Sequence, residues 1–120
     1  MTLPHSQQKL LEAERTILRL LCQAGLTGAE RAENMRLLSG YRFADATHQI
    51  IFECLWELRA ADRETIRQQL SARVNNKGFP DLDLDWLFEP ARATPAETRQ
   101  RIRTFLEAAE SRSGSIPSAS

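Results

Sequence analysis

Lysine is nearly missing from this chain. Only Lys9 and Lys77 are lysine, and arginine supplies the rest of the 16 basic residues. Arginine favours planar, two-pronged pairing with carboxylates. Net charge is missing as well. The 16 basic and 16 acidic residues cancel, with seven of each sign in residues 1–60 and nine of each in residues 61–120. No basic half or tail offers itself to phosphate backbones by counterion release, so direct nucleic-acid binding is not expected. Glycine and proline, at five each, are too few for a turn-rich all-β fold, and no stretch sustains the β-branched/polar alternation of strands. No apolar run approaches the roughly 20 residues that cross a bilayer. The opening Met-Thr-Leu-Pro-His lacks the basic-then-apolar order of a signal peptide. No membrane contact and a cytoplasmic location are the expectations. The two cysteines, Cys22 and Cys54, each sit inside a helical apolar pattern. They read as buried free thiols in preference to a disulfide or redox pair.

What is present is helical periodicity, over a length of 120 residues that allows one hydrophobic core. Leu10, Leu11, Ile17, Leu18 and Leu21 form one stripe of a helix from Ser6, its expected N-cap, to about Ala24, with Gly25 as the stop. Thr27-Gly28-Ala29-Glu30 reads as a capping box opening a second helix to about Leu38. A third helix, about 45–60, is apolar around most of its girth through Ile50, Ile51, Phe52, Cys54, Leu55, Trp56 and Leu58. Such a helix belongs at the centre of a core, with the others around it. Asp62 caps a fourth helix over about 63–74, and Asn75 to Gly78 is a turn. A short helix is expected from about Asp83 to Phe88, broken before Pro90. Thr94-Pro95-Ala96-Glu97 combines an N-cap, a first-turn proline and a capping-box Glu, opening a last helix to about Ser111. The fold expected is all-α: a compact bundle of about six helices around the 45–60 helix, forming one domain over residues 1–112. Residues 113–120 are Ser-rich and expected to be a disordered tail.

Catalytic and ligand signatures are sparse. The chain has no GxxxxGK[ST], no HExxH, no CxxC and no nucleophile elbow. Asp81, Asp83 and Asp85 alternate like calcium ligands, but the loop's sixth position is not Gly and its twelfth is Arg92. These carboxylates read better as charge at a helix start. No cofactor, metal or catalytic residue is expected. Glu14 and His48 are polar residues on apolar stripes, and a buried carboxylate needs a partner. Glu14 is expected to pair with His48 or with an arginine. Phe79, Trp86, Phe88 and Phe105 are the candidate contact residues, since an exposed aromatic among otherwise buried ones marks a partner groove. The plainer reading places all of them in the core.

Several of these pieces occur together in a known order. Leu3-Pro4-His5-Ser6 precedes Glu12-Ala13-Glu14 and Ile17-Leu18. Phe43, a spacer, His48 and Ile51-Phe52 follow, then Trp86-Leu87 and Thr94-Pro95. Over about residues 3–112 this resembles the N-terminal domain of DnaB-type replicative DNA helicases. Ala13 to Leu21 also looks like the start of the C-terminal helicase-binding domain of bacterial primases, which is thought to share the fold. The resemblance implies a non-catalytic docking domain that binds a primase or replicative helicase, with a possible homodimer. It does not carry the family's ATPase activity or ring-like assembly across. These residues hold no counterpart of the ATPase domain, and only one helix, Pro95 to Ser111, of the family's paired hairpin. The alternative is a DNA-binding or regulatory helical module, which would need Arg99, Arg101, Arg103 and Arg112 on one exposed face.

Overall fold

In the computed structural model the backbone is described for residues 5–114 and the side chains for residues 7–110. The described residues form five α-helices and one 3-10 helix, with no strand. They are α1 (His5–Leu21), α2 (Gly28–Leu37), α3 (Ala46–Glu57), α4 (Arg63–Asn76), the 3-10 helix (Asp85–Phe88) and α5 (Pro95–Gly114).

Capping fixes most boundaries. The Thr27 hydroxyl accepts the Glu30 amide and the Glu30 carboxylate accepts the Thr27 amide, both at 3.0 Å. The same reciprocal box joins Thr94 and Glu97. Asp45 accepts the amides of Thr47 and His48 at the head of α3, and Asp62 accepts the Thr65 amide at the head of α4. Each cap satisfies amides that the first helical turn leaves without partners. α4 runs on through Asn75 and Asn76, so the turn expected at Asn75 to Gly78 is confined to Lys77 and Gly78. Gly78 takes a positive φ of 95° and the Phe79 amide reaches back to the Val74 carbonyl, which is the Schellman arrangement.

Several expected boundaries shift, among them the ends of α3, at Glu57 instead of about 60, and of α4, at Asn76 instead of about 74. α1 begins at His5, so Ser6 lies inside the helix and not at its cap. α1 also ends at Leu21 instead of Ala24, because side chains from elsewhere take its last carbonyls, as described below. The 3-10 helix starts at Asp85, two residues late. Asp83 accepts the Asp85 amide at 3.0 Å, closing a local turn ahead of it. α5 continues through Ser113 to Gly114, into the expected tail; no proline interrupts it before Pro117. The rest of that tail and the Leu3-Pro4 lead-in lie outside the described residues.

The hub of the bundle is α1, and not the 45–60 helix. α1 packs on α2, α3, α5 and the 3-10 helix, whereas α3 packs chiefly on α1 and α4. Ile17, Leu18, Leu20 and Leu21 of α1 are all buried. The apolar girth of α3 is only partly used. Ile51, Phe52, Cys54 and Leu55 are buried, but Ile50 and Trp56 remain half-exposed. The Arg59 guanidinium lies 4.3 Å from the Trp56 ring centroid and covers that face instead of another helix. Both cysteines are buried and free.

Candidate functional site

Two polar centres brace α1, and an open apolar groove lies along it. The first centre is Glu14, which is fully buried. His48 Nδ1 lies 2.9 Å from its Oε1. The Tyr41 hydroxyl donates to Oε2, and the Ala44 and Asp45 amides donate to the two oxygens at 2.6 and 3.4 Å. The carboxylate thus joins α1 to the α2–α3 link and to the head of α3. Burial pushes its pKa up, but the bonds from His48, Tyr41 and the two amides outweigh burial and hold it below the ordinary carboxyl value. With Glu14 ionised, Nδ1 of His48 carries the proton and donates.

The second centre closes the other end of α1. Arg31, fully buried on α2, donates from Nε to the Leu21 carbonyl at 2.8 Å and from Nη1 to the Ala61 carbonyl at 2.7 Å. Arg63 of α4 donates to the Cys22 carbonyl at 2.8 Å and to the Phe88 carbonyl at 2.9 Å. Gln23 donates to the Arg19 and Glu89 carbonyls and accepts the Ala91 amide. Cations placed on the last carbonyls of a helix also oppose its dipole. Burial lowers the Arg31 pKa, and it pushes the Cys22 thiol up to about 12 against the pull of Arg31 and Arg63. This centre was missed in the sequence, although Arg31, Asn34, Met35 and Leu38 share one stripe of α2 and all are buried.

The four candidate aromatics are not brought together. Phe105 is buried on α5, its ring edge-on to Tyr41 at 4.9 Å. Phe79, Trp86 and Phe88 are half-buried and packed against the core, each in its own setting. Phe79 lines a cleft with Val74, Leu82 and Leu84. Trp86 lies under the Arg15 guanidinium at 4.4 Å, and Phe88 under Arg63 and Arg67 at 5.4 and 5.5 Å. Their closeness in sequence does not translate into one patch, because the chain turns between Phe79 and Trp86, and Trp86 and Phe88 lie under different arginines.

Only Phe105 belongs to an open apolar groove, of about 530 Å³, between α1 and α5. Leu10, Ala13 and Ile17 contribute from α1, and Phe105 and Ala108 from α5. Thr16 and Thr104 also line it, and its two charged residues are Lys9 and Arg101, both exposed cations. The α5 contributors Arg101, Thr104, Phe105 and Ala108 repeat at three, four and seven, so they form one helical face.

Of the α5 arginines named for a nucleic-acid face, Arg103 is exposed. Arg99 pairs with Glu33 of α2 at 2.7 Å, and Arg101 turns to the groove. The Arg112 side chain lies outside the described residues. Among the described residues no cluster of His, Cys, Asp or Glu could hold a metal ion, and no helix is long and apolar enough to cross a membrane. Comparison of the chain with protein-family models, curated proteins and solved structures gives no match.

Proposed function

We propose that this chain is a non-catalytic docking domain of the replicative helicase–primase type, and that it receives its partner on the groove between α1 and α5. The groove carries the reading. It is an apolar helix-pair surface with a charged edge, the usual anatomy of a helix-receiving site. The resemblance to DnaB-type N-terminal domains supplies the kind of partner, a primase or a replicative helicase. It draws support from one further observation: Glu14 and His48, which belong to two separate pieces of that resemblance, meet in a single brace. The buried Arg31 and Gln23, and the half-buried Arg63, all bond to backbone carbonyls.

Light scattering on the purified chain, mixed in turn with the same organism's primase and helicase, tests the reading. A stable complex with one of them is expected, and it should be lost in Ala108→Arg. That substitution fills the groove at an exposed helical position with a good helix former. Absence of a complex with either protein well above micromolar concentration overturns the assignment.

A further inference from the structure

The charge around the groove is one-sided. Lys9 and Arg101 are the ionisable residues among those lining it, and both are basic. Among the described residues neither takes part in an ion pair. Arg101 does sit one turn from Glu97, whose pKa is held low, first by the Thr94 amide and also by the Arg101 charge. The Glu97 carboxylate is committed to the Thr94 cap at 2.9 Å, leaving the guanidinium unbridged. Elsewhere Arg99 pairs with Glu33, Arg73 with Glu57 and, at 4.0 Å, Arg19 with Glu89, while exposed Arg36, Arg42, Arg92 and Arg103 likewise form no ion pair among the described residues. In a chain whose charges balance overall, an apolar groove with two unbridged cations and no lining acid favours an anionic partner.

We infer that the α1–α5 groove takes an acidic amphipathic helix, an inference that rests on the docking reading above. Leu10, Ala13, Ile17 and Phe105 would cover the helix's apolar stripe, and Lys9 and Arg101 would meet carboxylates flanking that stripe. The α1 contribution, Lys9 to Ile17, spans about 12 Å at the α-helical rise. A partner segment of two to three turns therefore suffices, with apolar residues at one, four or five, and eight.

The probe is a fluorescein-labelled helical peptide of roughly four turns, with leucines at that spacing and glutamates on both flanks. Its control carries lysine at every glutamate. Anisotropy titration of the wild-type chain should show the glutamate peptide bound roughly tenfold tighter at low salt, the scale of two exposed ion pairs gained against two repulsions. The preference should shrink at high salt, as screening requires. The double variant K9E/R101E changes only exposed side chains and should reverse the preference, with an unchanged circular dichroism spectrum. Equal binding of the two peptides, binding of neither at millimolar concentration, or an unreversed preference in the double variant overturns the inference. The docking reading fails separately: its complex with primase or helicase would be absent, or would survive Ala108→Arg. Persistence of that complex in wild type and its loss in Ala108→Arg, with no peptide preference, would retain the groove and discard its acidic occupant.

Discussion

Glu14 and His48 are separated by 34 positions in the chain and by 2.9 Å in the fold. Between them they fix how α3 leaves the α2–α3 link. The Glu14 carboxylate also holds Tyr41 and the amides of Ala44 and Asp45, so its removal orphans buried His48 and three part-buried donors at once. Glu14→Ala is expected to cost about 3–5 kcal/mol, the range for removing one partner of a buried pair. Glu14→Gln keeps the shape and one acceptor oxygen and should cost about 1–3 kcal/mol. Urea unfolding followed by circular dichroism reads both. A loss below about 0.5 kcal/mol in Glu14→Ala, the size of an ordinary surface change, would show that the brace does not hold the fold.

The same carboxylate gives stability a pH dependence. Its folded pKa lies below the ordinary value of 4.5, so the unfolded chain takes up its proton first as pH falls. Its stabilising contribution is complete above pH 4.5 and is lost as pH falls through the depressed folded value. Wild-type stability should therefore fall on acidification below about pH 4.5, and Glu14→Gln should show a shallower fall over that window. Exposed Glu57, Asp62 and Glu97 are also held low, and the difference between the two proteins isolates Glu14. Parallel curves would refute the assignment.

Arg31 is expected to tolerate no simple exchange. Arg31→Ala strips the Leu21 and Ala61 carbonyls of their donors and leaves a cavity, at a cost of about 2–5 kcal/mol. Arg31→Lys should recover little, because a single ammonium does not reproduce a guanidinium fork reaching two carbonyls. Thermal unfolding of the two variants checks this. A lysine variant as stable as wild type would show that charge, and not the fork, is what the site requires.

Gly28 opens α2 where a Cβ would stand 2.7 Å from the Ala60 carbonyl oxygen. In an unobstructed helical position, Gly→Ala stabilises by about 0.4–1 kcal/mol. Here Gly28→Ala should destabilise by about 1–3 kcal/mol, as overpacking does, because the clash is with backbone. A gain in denaturation midpoint would mean that α2 and the α3–α4 link are not in this contact.

Cys22 and Cys54 should resist a thiol reagent at pH 8 in the folded protein and react as two equivalents after denaturation. Both are buried. Burial raises both pKa values, that of Cys22 to about 12, and the thiolate is the reactive form. Rapid labelling of either in the native state would contradict the packing of α1 or α3.

Legibility followed the range of the interactions. The two capping boxes and the Asp62 cap involve residues three apart, so residue type and spacing expose them. The Glu14–His48 contact was legible as one of two options, because each is a polar residue on an apolar stripe. Arg31 occupies a similar stripe with Met35 and Leu38, all buried. A long guanidinium that ends on backbone carbonyls leaves no partner residue in the sequence to notice. The hub was misplaced for a related reason. Apolar girth measures what a helix could bury, and Arg59 over Trp56 shows a cation covering a face that another helix was expected to cover. The groove was legible only through Phe105, since its walls come from helices at opposite ends of the chain.

Hydrogen exchange on the docked chain tests the central claim most directly. With the primase or the helicase in excess, amides over residues 9–17 of α1 and 101–108 of α5 should gain protection together, while α4 and the Phe79 cleft stay unchanged. Protection confined to α4, or to the Trp86 side of α1, would contradict docking at the α1–α5 groove.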